Sequence, residues 1–195
     1  MNENECTRGA AQLLHFLQSG LTLVEMLVAL AVLGGVLAIG GSALGEVIAS
    51  VRLSAATDSV VANLNRARGE AVARNMRVVY CKSADGATCA VAGGWEQGGI
   101  VFQDANDNSR RDPDEPALSL QQPFATGTRI RGNGTVEDYV SFAPDGRSRH
   151  SGSGAFQAGT ITVCHASAGR SEARQVVVNS GGRPRVQKAV LPACP

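Results

Sequence analysis

The chain has 195 residues, room for one domain of ordinary size plus an appendage. Its 44% apolar content is uneven: the excess lies between Leu21 and Gly45, while the rest is rich in Gly, Ser, Asn and Asp, a composition for short strands joined by turns. A net charge of +1 excludes any argument for a partner from bulk charge, so only its distribution is informative.

Residues 26–45 form a run of 20 without a charge. That is about the length that crosses a hydrocarbon layer of ~30 Å as a helix. A secretory signal has a shorter apolar region, about 7–15 residues, and ends at a small-residue cleavage site. This run instead continues into a helical pattern. Glu25 stands at its start, and an unpaired carboxylate inside a membrane costs on the order of 3 kcal/mol. A cut between Gly20 and Leu21 would create an α-amino group four residues from Glu25. In a helical array, the amine of one subunit can meet Glu25 of its neighbour and set the register.

The order Gly20-Leu21-Thr22-Leu23-Val24-Glu25, followed by the apolar run, resembles the signal of type IV pilins and type II secretion pseudopilins. The resemblance implies cleavage after Gly20 by a prepilin peptidase, N-methylation of Leu21, and assembly with other pilins or pseudopilins through the N-terminal helix and Glu25. It also implies single-pass placement in the bacterial inner membrane, with the C-terminal domain in the periplasm. Leu21 departs from the Phe more usual at the first mature position. The leader carries Glu3 and Glu5 against Arg8, without the basic excess that marks a cytoplasmic flank.

Beyond the apolar run, Leu53, Ala56, Val60, Leu64, Ala67 and Ala71 recur every three or four residues, one face of an α-helix. Arg66, Glu70 and Arg74 are spaced to support one another on a polar face. Gly34, Gly35, Gly40 and Gly41 permit close helix approach in a membrane or local bending. The spacing predicts a helix over residues 21–75. After Asn75 the period changes. Short apolar runs at 76–81, 99–102, 138–142, 160–164 and 175–178 are bounded by turn residues and read as strands of a mainly antiparallel sheet.

Cys6 precedes the cleavage position, leaving Cys81, Cys89, Cys164 and Cys194, which allow three connectivities. An oxidising compartment favours two disulfides. The turn Ser83-Ala84-Asp85-Gly86 suits a hairpin closed by Cys81–Cys89. Cys164–Cys194 would then pin the C-terminal tail to a strand.

Leu64-Asn65-Arg66-Ala67-Arg68-Gly69-Glu70-Ala71, Arg74-Asn75 and Val78-Val79-Tyr80-Cys81 resemble the helix end and first strand of the GspH/FimT family of minor pilins and pseudopilins. Gly94-Trp95, Ile100-Val101-Phe102, Asp104-Ala105-Asn106 and Ser141-Phe142-Ala143-Pro144-Asp145-Gly146-Arg147 are similar to later parts of that family, in the same order. The resemblance implies an α+β pilin-like fold, with a long N-terminal helix packed on a mainly antiparallel sheet. The organisation expected is a leader (1–20), a transmembrane helix (21–45), its amphipathic continuation (46–75) and a periplasmic β-rich domain (76–195).

From Asp85 to Glu115 there are seven acidic residues against two arginines. Within this stretch Asp104, Asn106, Asn108, Arg110, Asp112 and Glu115 fall at positions 1, 3, 5, 7, 9 and 12 of a calcium-loop pattern. Ser109 stands where that pattern needs Gly for its sharp turn, and the alternative reading is a polar turn between strands.

From Arg147 onward seven basic residues face Glu172 alone. An anionic partner for one face or a solvated basic surface both fit that asymmetry. Arg183 and Arg185 flank Pro184, which holds φ and disfavours helix before it, so an extended tail presents both guanidinium groups to one side. Arg forms bidentate bonds to phosphate oxygens. Gly182-Arg183-Pro184-Arg185 resembles the Gly-Arg-x-Arg tail of the FimT-like branch. The resemblance implies binding of double-stranded DNA by Arg183 and Arg185 during natural transformation; Lys188, Arg170 and Arg174, which it does not cover, extend the basic patch. Such contacts would be sequence-independent and salt-sensitive.

No catalytic set and no cofactor motif emerges. His15 lies in the leader, His150 stands alone, and His165 adjoins Cys164, which a disulfide would deprive of its thiolate. Two assignments follow from the sequence: a minor type IV pilin that binds DNA through its tail, or a type II secretion pseudopilin that exports protein without it.

Overall fold

The computed structural model describes residues 22–165 and 171–195, without the side chains of residues 36–44 and 46. The chain divides into two compact units, Met1–Glu46 and Val47–Pro195. Helix α1 (Leu23–Arg74) contributes to both.

In the first unit residues 22–35 and 45 are exposed, large apolar side chains included. Among the described residues, no helix is long and apolar enough to cross a membrane. The residues that would complete the expected span, 36–44, lie outside the described side chains.

The second unit is built on the later turns of α1. The six residues whose spacing predicted a buried face are all buried there: Leu53, Ala56, Val60, Leu64, Ala67 and Ala71. Three are alanines, which let strands approach the helix closely. Val60 and Leu64 are fully buried, each stabilising by about 1.5–3 kcal/mol. The helix ends at Asn75, whose φ of 52° takes the left-handed conformation. Met76 N–H donates to the Ala71 carbonyl at 3.2 Å and Asn75 N–H to that of Val72 at 3.3 Å, the two bonds of a Schellman motif.

Among the described residues eight strands follow: β1 (Val78–Lys82), β2 (Gly99–Gln103), β3 (Ala117–Gln121), β4 (Thr128–Gly132), β5 (Tyr139–Phe142), β6 (Gly159–His165), β7 (Ser171–Val178) and β8 (Pro184–Leu191). They form two four-stranded sheets, β3-β2-β1-β5 and β4-β6-β7-β8, and every pairing is antiparallel. Both sheets contribute to one core with α1. Tyr80, Val101 and Phe142 come from the first, and Ile130, Ile161 and Val176 from the second. The other face of the first sheet buries Val79, Cys81, Ile100 and Phe102 in a smaller cluster with Cys89 and Tyr139. This explains the unbroken apolar run in β1, which is buried on both faces.

The α+β class expected from the sequence is the one observed. The sheet differs in being two sheets, with β3, β4 and β8 added to the five expected strands. All three added strands are sheet edges. An edge strand buries little, so β3 and β8 show mixed or exposed residues, and β4 alternates Arg129 and Arg131 with Ile130. Their extension is fixed by hydrogen bonds to a neighbour, not by an apolar run of their own.

Candidate functional site

The β7–β8 hairpin carries the basic tail. Its turn is shaped by Asn179, whose backbone carbonyl accepts from Gly182 N–H at 2.9 Å and whose side-chain oxygen accepts from Gly181 N–H at 3.1 Å. Gly182 has a φ of 73°, and a Cβ there would collide with the Gly146 carbonyl. Glycine is therefore required twice, for conformation and for close approach. The turn abuts the one at Asp145–Arg147, with Arg147 Cα 3.4 Å from the position of a Gly182 Cβ.

Arg183 leaves this turn exposed, and Arg185 follows it as an exposed residue of β8 paired with Val177. Val176 and Val178 point into the core, so Val177 and Arg185 lie on the opposite face. Arg174 and Lys188 stand directly opposite each other on the core-side face, with Val176 and Val186. Arg174 donates from Nη2 to Ser54 Oγ of α1 at 2.8 Å. These two residues therefore do not extend the face of Arg185, as the sequence reading had them do. A strand's period of two separates them from it. Arg170 lies outside the described residues. Among the described residues, Arg183, Arg185 and Lys188 enter no ion pair.

The structure adds Arg147 beside the tail. Its ion pair with Asp145 spans 3.6 Å and both side chains are more than half exposed, so the guanidinium is only loosely held. The segment Ser141 to Arg147 stands out in the sequence only for its family resemblance, and nothing there says that its turn meets the turn at Gly182. Arg68 of α1 also reaches this corner, donating from Nε to the Gly146 carbonyl at 3.0 Å.

At the other end of the chain, Gly20 and Leu21 lie outside the described residues. Glu25 occupies the first turn of α1 and its N–H donates to Thr22 Oγ1 at 3.3 Å. Thr22 thus caps the helix, and Thr22-x-x-Glu25 has the spacing of a capping box. A carboxylate in a first turn is favoured by the helix dipole. That second use of Glu25 was present in the sequence as a pattern and was missed.

The acidic loop closes on itself. Buried Asp104 accepts N–H bonds from Asn108 and Ser109, both at 3.0 Å. Glu115 accepts from Ala105 N–H at 2.7 Å and Asp112 N–H at 3.0 Å. Asn106 and Asn108 both donate their side-chain amides to Asp112. Ser109 takes a φ of 57°, the conformation for which glycine is preferred. Among the described residues, no group of three or more His, Cys, Asp or Glu converges to hold a metal ion. Asp104, Asp112 and Glu115 thus accept N–H groups of the loop itself.

The loop packs beside a second one, pinned by the Cys81–Cys89 disulfide, through Arg111 Nη1 donating to the Ala87 carbonyl at 2.8 Å. Within the pinned loop Asp85 accepts from the N–H groups of Thr88 and Ala87, which holds its carboxyl well below the usual range. A second disulfide joins Cys164 on β6 to Cys194. His150 faces the Tyr139 hydroxyl at 3.1 Å, and His165 lies against Gly127.

The family model described as Type II transport protein GspH matches residues 56–182, more than half of the chain. The chain belongs to the GspH family. Two crystal structures of the type IV minor pilin FimU of Pseudomonas aeruginosa share the fold of this GspH-family chain. They align with TM-scores of 0.54 and 0.55 at 18% identity, covering 73% of this chain and 99% and 94% of theirs. No curated protein sequence matches.

Proposed function

We propose that this GspH-family subunit is a minor type IV pilin, cleaved after Gly20, methylated at Leu21, anchored in the inner membrane by residues 21–45, and able to bind double-stranded DNA through its β7–β8 hairpin. The observation that carries the DNA reading is the pair Arg183 and Arg185 at the tip of an exposed edge hairpin, with Arg147 alongside and no ion pair to Arg183 or Arg185 among the described residues. Phosphate contacts alone give binding that is independent of sequence and falls with salt. In filament assembly, Glu25 meets the amine of a neighbouring subunit. As in the family at large, the role is that of a structural subunit.

Duplex binding by the purified full chain, measured against Arg183→Ala/Arg185→Ala at several salt concentrations, tests the reading. We expect weaker binding by the variant and a difference that narrows as salt rises. Equal binding at low salt overturns it. The second reading, a type II secretion pseudopilin, is favoured by the description of the matching family as a type II transport protein. It predicts no duplex binding by either form.

A further inference from the structure

The core-side face of the same hairpin holds a second basic pair, separated from Arg185 by the thickness of the sheet. Arg174 and Lys188 are directly opposite across β7 and β8. Like charges in that relation repel. They line a groove of about 370 Å³ together with Ser50 and Leu53 of α1, Glu172, and Val190 of β8. Arg174 Nε is buried there with no acceptor among the described residues, although Nη2 is satisfied by Ser54 Oγ. An unmade bond of this kind is unfavourable, and an anionic oxygen in the groove would make it.

We propose that this groove seats the phosphate of a membrane phospholipid headgroup. Two cations less the carboxylate of Glu172 leave a single net positive charge on its walls, which matches one phosphodiester. Arg174 and Lys188 supply charged donors, Ser50 a hydroxyl, and Leu53 and Val190 an apolar flank for the glycerol end of the lipid. The volume admits one headgroup and not a duplex. The inference rests on the reading that residues 26–45 cross the membrane. Ser50 then follows Gly45 by five residues of the same helix, a rise of about 7.5 Å, comparable with the roughly 5–7 Å by which the headgroup layer extends beyond the hydrocarbon.

The test uses the full chain reconstituted in phosphatidylglycerol vesicles, released into neutral detergent and examined by native mass spectrometry for retained lipid. The wild type is expected to retain one lipid, and Arg174→Gln/Lys188→Gln to retain it about tenfold less, a change of ~1.4 kcal/mol. Arg183→Ala/Arg185→Ala should retain lipid like the wild type. Should the double glutamine variant melt early, Lys188→Glu alone, at an exposed position, must show the same loss. Equal retention by wild type and the groove variants overturns the inference while leaving the membrane reading standing. Failure of the chain to partition into vesicles at all overturns the membrane reading and this inference with it. If the groove variants lose duplex binding and keep their lipid, the site belongs to DNA and the inference is wrong.

Discussion

Gly182 packs against the carbonyl of Gly146 so closely that a Cβ would collide with it, while the same carbonyl accepts a hydrogen bond from Arg68 Nε. One contact therefore ties the β7–β8 turn, the turn before Arg147 and helix α1 together. Gly182→Ala introduces both a clash and a side chain at a φ of 73°. We expect a loss of about 1–3 kcal/mol, read as a lower midpoint in chemical denaturation. Gly181→Ala, exposed, without a positive φ and with only the Asn179 side chain at 3.2 Å from its Cβ, should cost less and is the control.

The same contact predicts a third phosphate-binding residue. Arg147→Ala should weaken duplex binding and reduce the slope of log K against log salt by about 1. Titrations at four or five salt concentrations measure it. Arg129→Ala, on β4 at the far edge of the second sheet, should leave the slope unchanged.

The two disulfides close loops of different length, 8 residues for Cys81–Cys89 and 30 for Cys164–Cys194. Chain entropy makes the longer closure worth more, about 3–4 kcal/mol against about 2–3. Cys164→Ser/Cys194→Ser should therefore lower the melting temperature further than Cys81→Ser/Cys89→Ser.

Glu96 accepts hydrogen bonds from Arg131 Nη1 and from Ile130 N–H. Burial by itself would raise its carboxyl, but those bonds outweigh burial and hold it below its ordinary 4.5. A depressed carboxylate stabilises the fold above its unfolded pKa and loses that contribution as pH falls through the folded value. Stability should drop below about pH 4.5, and Glu96→Gln should flatten that part of the profile. The Glu96 side chain keeps 26% of its surface exposed and Arg131 36%, so solvent screening keeps the effect under about 1 kcal/mol.

Val60 has no exposed surface and lies midway along the buried face of α1. Val60→Ala should cost about 1–3 kcal/mol, whereas Val51→Ala, exposed on the same helix, should be nearly neutral.

The helix and its buried face could be read from the residues alone, because a 3.6-residue period survives whatever the helix packs against. The strands β1, β2, β5, β6 and β7 were legible too, since their apolar runs reflect burial, even in β5 at the edge of its sheet. The calcium-like spacing was equally legible, yet spacing does not show which groups of its own loop a carboxylate meets, and Asp104 accepts N–H bonds from Asn108 and Ser109. Only the tertiary structure decided which strands pair. That choice made two sheets and recruited β3, β4 and β8 as edges, since edge pairing depends on distant partners and leaves little apolar signal. It also divided the basic cluster. Arg185 lies on one face of β8 and Lys188 and Arg174 on the other, and Arg147 arrives from a turn 35 residues or more from the tail in sequence. Charge can be counted along a chain, but the face it occupies is set by strand register, and its neighbours by how turns pack.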